Sequence, residues 1–240
     1  MWDLLALPGS AVLEIGPGSG HLLAAAKQAG CSVTAVESSK VHRDFIRDCW
    51  GISSVYASMD EIPGARAFDT VVAINVFEHI YDIAAFLRAV RQVLAPGGTC
   101  YLSTPNAVSL EAAALRTWWS MCKVHDHVSF PSPAGLATAT LESGLRVGRI
   151  WSTGLPFEFP VSALTAARDL AVARRGTGKH AERAHRAPTG TGTTAAEGGS
   201  RLSGKAALAG FYSAAALFDP GYRVLGALGR AGSLKAQLVR

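Results

Sequence analysis

The sequence predicts an α/β protein built on one doubly wound, mostly parallel sheet of seven strands. Short apolar runs alternate with helical stretches through the first two thirds of the chain, and a glycine-rich turn joins the first run to a helix. The 240 residues are 49% hydrophobic, which is enough for one large core. We expect a core over 1–151, an insertion over 152–233 and a last strand over 234–240.

Each element follows from the spacing of apolar residues and from the breakers around it. Pro96 and Gly97 end a long helix and turn the chain into the fifth strand, as proline and glycine do just past a helix end. The predicted strands lie near 11–15, 32–36, 52–56, 69–74, 98–104, 145–151 and 234–239. The predicted helices lie near 19–29, 40–48, 82–94, 107–122 and 132–143.

The turn after the first strand reads Gly-Pro-Gly-Ser-Gly over 16–20. Gly16, Gly18 and Gly20 lack a Cβ, so their backbone can take positive φ and approach a ligand, and the next helix offers free N–H groups. His21 stands where a dinucleotide-binding fingerprint has its third glycine, which favours S-adenosylmethionine over NAD. A tight strand-to-helix connection without a ligand is the alternative.

Two acidic positions strengthen the nucleoside interpretation. Glu37 ends the second strand, where a carboxylate one βαβ unit after a glycine turn can accept hydrogen bonds from both ribose hydroxyls. Asp60 lies in an acidic turn after the third apolar run, where it could accept from an adenine amino group while Met59 packs on the ring. Together they predict a bound adenosyl group.

At this point the chain resembles the class I S-adenosylmethionine-dependent methyltransferases, and within them the ubiquinone-type small-molecule O-methyltransferases. The resemblance rests on VLEIGPGSG, TAVESS, the turn at Asp60, FDTVVAINVFEHI and RQVLAPGGTCYLSTPN, in the family's order. It implies a Rossmann-like sheet whose seventh strand is antiparallel, S-adenosyl-L-methionine as cofactor and S-adenosylhomocysteine as product.

The resemblance also implies which residues surround the cofactor. Glu14 is expected near its amino end, Glu37 on the ribose and Asn75 near the methionine moiety. The full expected set is Glu14, Gly16, Pro17, Gly18, Gly20, Glu37, Ser38, Met59, Asp60, Asn75 and Val76.

Catalytic side chains are expected at His125, Asp126 and His127, between the fifth strand and the 132–143 helix. Histidine titrates near neutral pH, so His125 or His127 could take a proton from a phenolic acceptor while Asp126 orients one of them. Two metal ligands and a hydrogen-bonded structural loop are the alternatives. No metal is expected, because the sequence shows no third and fourth ligand nearby. For Glu78 and His79, capping and packing are slightly favoured over catalysis.

The formal charge of +5 does not predict nucleic-acid binding. Between 174 and 205, seven basic and two acidic residues account for the whole excess, and no aromatic residue interleaves with them. We therefore expect a solvated loop there, and a nucleic-acid substrate is disfavoured.

The remaining sequence features indicate the cellular location of the protein and its partners. The four cysteines show no zinc or CxxC spacing, no leader is evident and no apolar run is long enough to span a membrane, so we expect a cytoplasmic protein. Because the first strand starts near residue 11, water exclusion is expected to come from the 152–233 insertion, with a second subunit or protein partner as the alternatives.

These features predict methyl transfer to a small molecule, with an apolar or aromatic acceptor and oxygen as the favoured atom. An N- or C-methyltransferase and a non-catalytic cofactor-binding subunit are the alternatives.

Overall fold

Seven strands form one mixed sheet in the computed structural model, which describes residues 8–64, 67–123, 125–154 and 227–240. The strands are β1 Ala11–Ile15, β2 Ser32–Val36, β3 Val55–Tyr56, β4 Phe68–Ile74, β5 Leu94–Pro105, β6 Arg146–Thr153 and β7 Ser233–Val239. Their order is β3-β2-β1-β4-β5-β7-β6. The pairs from β3 to β5 are parallel, whereas β7 runs antiparallel to both β5 and β6. The predicted fold class and the antiparallel seventh strand are confirmed.

Five α-helices connect the strands within the described ranges, and local side chains help to fix where three of them begin. The helices are α1 His21–Gln28, α2 Lys40–Trp50, α3 Ile83–Val93, α4 Leu110–Leu115 and α5 Pro133–Glu142. The side chains of Ser39, Asp82 and Ser132 each accept a hydrogen bond from the backbone N–H of the residue three positions later. These bonds cap α2, α3 and α5. Helix α2 ends at Gly51, whose φ of 60° suits glycine.

The core lies on both faces of the sheet. Leu23 of α1 and Ile46 of α2 pack in one apolar cluster, while Leu87 of α3 and Leu136 of α5 pack in another. Leu13 of the central β1 is fully buried. A parallel sheet covered on both faces has near-continuous apolar strands, which is the pattern that the sequence shows.

Three element predictions differ from the structure. Strand β3 has two residues rather than the predicted five over 52–56, because Ile52 is buried against α2 instead of pairing in the sheet. The helix predicted over 107–122 is α4 followed by a 3-10 turn, Arg116–Trp118, because Arg116 takes a φ of 51° that interrupts the helix. Strand β5 starts at Leu94 through a register shift, rather than at residue 98.

The predicted insertion over 152–233 begins later than expected, because β6 continues to Thr153. Most of it, residues 155–226, lies outside the described residues, and so does the basic segment at 174–205. Among the helices of the described ranges, none is both long and apolar enough for a transmembrane span.

Candidate cofactor and acceptor site

The glycine turn lies at the carboxyl end of β1, beside the ends of β2 and β4. The N–H of Gly16 donates to the Val36 carbonyl at 2.8 Å, and the N–H of Gly20 donates to the Pro17 carbonyl at 2.9 Å. All three glycines have positive φ. A Cβ at Gly16 would stand 2.5 Å from Cγ2 of Val76, whereas one at Gly18 would meet open space. The turn therefore packs tightly against Val76, which follows β4, and leaves open space next to Gly18.

Glu37 points toward this turn, as predicted for a ribose-binding carboxylate. Its Oε2 accepts the N–H of Gly18 at 3.1 Å, and its Oε1 accepts the N–H of Ser39 at 2.8 Å. The side chain is 7% exposed. The Arg43 guanidinium donates to the carbonyls of Glu37 and Ser38, which fixes the backbone at the end of β2. The carboxylate is thus oriented before any ligand binds.

Glu14 lies on β1, two residues before the turn, and is 5% exposed. Its Oε2 has no hydrogen-bond partner in the structure. Burial raises the pKa of this carboxyl from 4.5 to about 7, and a hydrogen bond from the Leu23 backbone offsets part of that rise. A buried carboxylate oxygen without a partner is costly, and a cationic amino group would satisfy it.

The other expected cofactor residues also lie at this edge of the sheet. Met59 and Asp60 form the 3-10 turn Met59–Glu61 that follows β3, with Met59 packed against the core and Asp60 exposed. Asn75 follows β4 with a φ of 55°, which is uncommon for residues other than glycine but is adopted more often by asparagine than by most. Its N–H donates to the Ser103 carbonyl at 2.8 Å. Val76 contacts the turn at Gly16.

The structure separates the three residues expected to be catalytic. His127 is buried, and its Nδ1 lies 2.7 Å from the Met121 carbonyl, whereas His125 and Asp126 are exposed. Asp126 does orient a histidine, but through its backbone carbonyl, which lies 2.7 Å from Nδ1 of His79. The expected contact between the Asp126 carboxylate and a neighbouring histidine is not what the structure shows, because the loop turns its backbone toward residue 79.

Glu78 and His79, for which the sequence slightly favours capping and packing over catalysis, lie beside His127. They are the last two residues of the 3-10 turn Phe77–His79 after β4, and the ring of His79 lies 5.0 Å from the ring of His127, edge to face. Glu78 is 2% exposed; its Oε2 accepts the hydroxyl of Thr104 at 3.1 Å. Its carbonyl accepts the N–H groups of Val128 and Ser129, which joins the two segments.

A signal for this arrangement was present in the chain. Residues 78–79 follow β4, His127 follows β5, and these strands are parallel neighbours in the sheet. Segments that follow the carboxyl ends of adjacent parallel strands meet at one edge. The ring of Phe130 contacts the rings of both Trp119 and His127. Trp118 is 41% exposed.

Comparison with known proteins agrees with this geometry. Residues 3–149 match the methyltransferase domain family. The chain belongs to this methyltransferase family. Its cofactor is accordingly S-adenosylmethionine, and the glycine turn, Glu37 and the unsatisfied oxygen of Glu14 fit that molecule's adenosyl and amino groups.

Curated relatives of this methyltransferase include ubiquinone biosynthesis O-methyltransferases. The protein of that name from Xanthomonas campestris pv. campestris is 37% identical over 111 residues, which cover 42% of this chain and 46% of the relative. The one from Methylocella silvestris is 30% identical over 151 residues, covering 58% and 59%. The chain therefore spans about half the length of these curated relatives.

Solved structures show the same fold at low sequence identity. An S-adenosylmethionine-dependent methyltransferase from Mesorhizobium loti aligns with a TM-score of 0.56 at 15% identity, covering 99% of this chain and 94% of that one. A geranyl diphosphate C-methyltransferase from Streptomyces coelicolor, in complex with Mg²⁺, geranyl diphosphate and S-adenosyl-L-homocysteine, aligns with a TM-score of 0.56 at 15% identity, covering 100% and 77%.

Proposed function

We propose that this methyltransferase transfers a methyl group to a hydroxyl oxygen of a small apolar or aromatic molecule. The observation that carries the proposal is the pair of imidazoles, His79 and His127, beside the expected methionine end of the cofactor site at Asn75 and Val76. A hydroxyl acceptor needs a group that favours loss of its proton, and these rings supply nitrogen lone pairs there.

The cofactor side of the proposal uses residues already described. Glu37 would hold the ribose hydroxyls, Glu14 the amino group, Met59 and Asp60 the adenine, with Pro17 and Ser38 shaping the walls. When bound, S-adenosylmethionine supplies a methyl group on a positively charged sulfur. Because that charge disappears during transfer, alignment of donor and acceptor can account for most of the acceleration.

The acceptor side depends on the loop between β5 and α5. A carbonyl oxygen can only accept, so the nitrogens facing the Met121 and Asp126 carbonyls carry the hydrogens. In the neutral rings, Nε2 of both His79 and His127 therefore has a free lone pair. His127 is our proposed base in the ion-free protein, with Asp126 acting as the orienting residue for His79 through its carbonyl. His125 is exposed on the same loop and is proposed as a contact to the acceptor.

Two features favour an apolar or aromatic acceptor. A cavity of about 300 Å³ lies beside this loop, lined by aromatic and aliphatic side chains that include Phe77, Phe130 and Leu136. Phe130 also contacts His127, so the cavity and the histidine pair share a wall. The names of the curated relatives agree with oxygen as the methylated atom.

We also propose which part of the protein covers the acceptor and where in the cell the protein acts. The 152–233 insertion is proposed to cover the acceptor, and a second subunit or protein partner is the alternative. One structural neighbour is a putative methyltransferase in complex with its Trm112 activator.

All four cysteines are free, in agreement with the proposed cytoplasmic location.

Calorimetry with S-adenosylhomocysteine tests the cofactor half of the proposal. We expect saturable binding of one molecule per chain. No binding at roughly millimolar ligand, in protein shown to be folded by circular dichroism, would remove the enzymatic assignment.

Methyl-labelled S-adenosylmethionine tests the acceptor half. We expect the label to appear on oxygen when simple phenols and catechols are supplied, and His127→Gln to lower kcat more than it changes cofactor affinity. Label on nitrogen or carbon would replace the oxygen assignment. Cofactor binding with no transfer to any acceptor would favour a non-catalytic subunit.

A further inference from the structure

One carboxylate and two imidazoles meet at the carboxyl ends of β4 and β5. The ligating atoms of Glu78, His79 and His127 all lie within 4.8 Å of one another. These three residues come from two segments separated by 47 positions. We propose that this cluster binds a divalent transition-metal ion, of which Zn²⁺ is the representative.

Both imidazoles are oriented as metal ligands are. Nδ1 of His79 donates to the Asp126 carbonyl and Nδ1 of His127 donates to the Met121 carbonyl, each at 2.7 Å. Histidines that bind metals almost always donate their second ring N–H to a carbonyl or carboxylate, which fixes the tautomer and aims the other nitrogen. The two rings are held in this way by different backbone groups of the same loop.

Glu78 supplies the negative charge that a divalent ion needs. Its side chain is 2% exposed, and the hydrogen bond that orients it comes from the neutral hydroxyl of Thr104. Burying a carboxylate is costly unless a charge compensates it. The Thr104 hydroxyl holds Oε2, as partners behind metal-binding carboxylates commonly do.

The geometry needs only a small adjustment to close around an ion. Two ligand atoms on a tetrahedral zinc ion stand about 3.3 Å apart, given bonds of about 2.0 Å. The ligand atoms of the three side chains are at most 4.8 Å apart. To bind an ion, each pair must therefore move closer by about 1.5 Å at most. His79 lies at the exposed side of the cluster, so its ring can move without repacking the core.

Two nitrogens and one oxygen favour a transition metal over Mg²⁺ or Ca²⁺, which prefer oxygen ligands. Three protein ligands also leave one position open on a four-coordinate ion, as in catalytic zinc sites. The sequence-based argument against a metal was the lack of further ligands near His125 and His127. Glu78 and His79 supply them from the 3-10 turn that follows β4.

The part of this ion in catalysis rests on the proposed function. An acceptor hydroxyl in the open position would lose its proton to solvent water more readily, because the positive ion would stabilise the oxyanion that remains. A molecule with two neighbouring hydroxyl groups would suit the site best. His79 and His127 would then act as ligands rather than as bases.

Metal binding by the full chain tests the site without any activity assay. Equilibrium dialysis against Zn²⁺, followed by elemental analysis, should give one ion per chain. Glu78→Gln, His79→Gln and the near-isosteric Thr104→Val should weaken binding by roughly tenfold or more. His125→Gln is the matched control, because it removes a neighbouring exposed histidine that is outside the cluster; its affinity should match the parent. Co²⁺ spectra should show nitrogen and oxygen ligation without thiolate.

Equal losses in His125→Gln, thiolate ligation from a cysteine, or no bound ion would each overturn the metal site. S-adenosylhomocysteine calorimetry on the same samples separates the two proposals. Cofactor binding without metal binding removes only the ion, whereas metal binding without cofactor binding removes the proposed function and leaves the site. Circular dichroism of each variant confirms that lost binding does not reflect unfolding.

Discussion

Glu37 shows how much of the site is formed by single residues before a ligand arrives. Two backbone N–H groups, from Gly18 and Ser39, hold its carboxylate at the end of β2. Hydrogen bonds to a charged group contribute more than those to a neutral one. The same carboxylate that braces the glycine turn can therefore receive ribose hydroxyls at little further cost in ordering.

Replacing Glu37 by Gln should weaken S-adenosylhomocysteine binding by tenfold or more, since a hydrogen bond to a charged group contributes about 1.5–3 kcal/mol. Calorimetry measures this directly. Asp44→Asn is the control, because it removes an exposed carboxylate of α2 that pairs with Lys40 and Arg47. Equal affinity in Glu37→Gln and the parent would place the ribose elsewhere.

Glu14 should make stability depend on pH. Its pKa of about 7 in the folded chain lies above the ordinary 4.5, so its contribution is full below pH 4.5 and is lost as the pH rises through 7. The shift corresponds to roughly 3 kcal/mol. Glu14→Gln should thus gain stability over the parent between about pH 5 and pH 8 in urea unfolding. Asp48→Asn, at an exposed position, should show no such gain.

Cofactor binding should also release a proton from Glu14. An amino group bound at its unsatisfied oxygen would favour the ionised carboxyl and lower its pKa. Calorimetry near pH 6 in two buffers of different ionisation enthalpy should give different binding heats for the parent and equal ones for Glu14→Gln. Equal heats for the parent would place the amino group away from Glu14.

At the scale of elements, the glycine turn depends on close packing as well as on backbone conformation. Gly16 and Gly9 both have positive φ, but only a Cβ at Gly16 would collide, at 2.5 Å from Val76. The two glycines therefore separate the cost of conformation from the cost of crowding.

Gly9→Ala should destabilise the fold by about 1–2 kcal/mol, the cost of a left-handed conformation in a residue with a Cβ. Gly16→Ala should cost about 1–3 kcal/mol more, because Val76 must move. Urea unfolding measures both. Equal losses of stability would mean that Val76 moves at no cost, so that its close approach to Gly16 does not restrict the side chain at that position.

The loops after β4 and β5 contact each other closely, although the sequence separates them. Ser129 donates through its hydroxyl to the Ile80 carbonyl at 2.5 Å, in addition to the backbone bonds to Glu78. These contacts explain why His79 and His127 are held together. Sequence spacing within either loop could not reveal the pairing, since each residue's partner lies in the other segment.

At the scale of the whole molecule, we propose that the 152–233 insertion encloses the acceptor. Deleting residues 176–204 should leave S-adenosylhomocysteine affinity unchanged, because the described cofactor residues lie within 14–76. If the insertion covers the acceptor, transfer to phenols should fall with cofactor binding intact. Unchanged transfer would show that this stretch is only a tether, and lost cofactor affinity would assign it to the other side of the site.

The sequence by itself determined most strands of the sheet and most of the helices, because these depend on local patterns, while the antiparallel last strand followed from the resemblance to a family. Local patterns also predicted which residues would surround the adenosyl group. Apolar periodicity sets strands and helices, and a glycine turn followed by a strand-ending carboxylate is readable along one βαβ unit. The short β3 escaped this reasoning, since a buried Ile52 has the same apolar signature whether it pairs in a sheet or packs under a helix.

Only the tertiary structure decided the acceptor side. It buried Glu78, faced His79 toward His127 and turned the Asp126 backbone, rather than its carboxylate, toward a ring. The physical reason is that these groups interact across neighbouring strands, where distances depend on how the sheet pairs. Local sequence patterns can place such residues at one edge of the sheet, but they do not give the distances between their side chains.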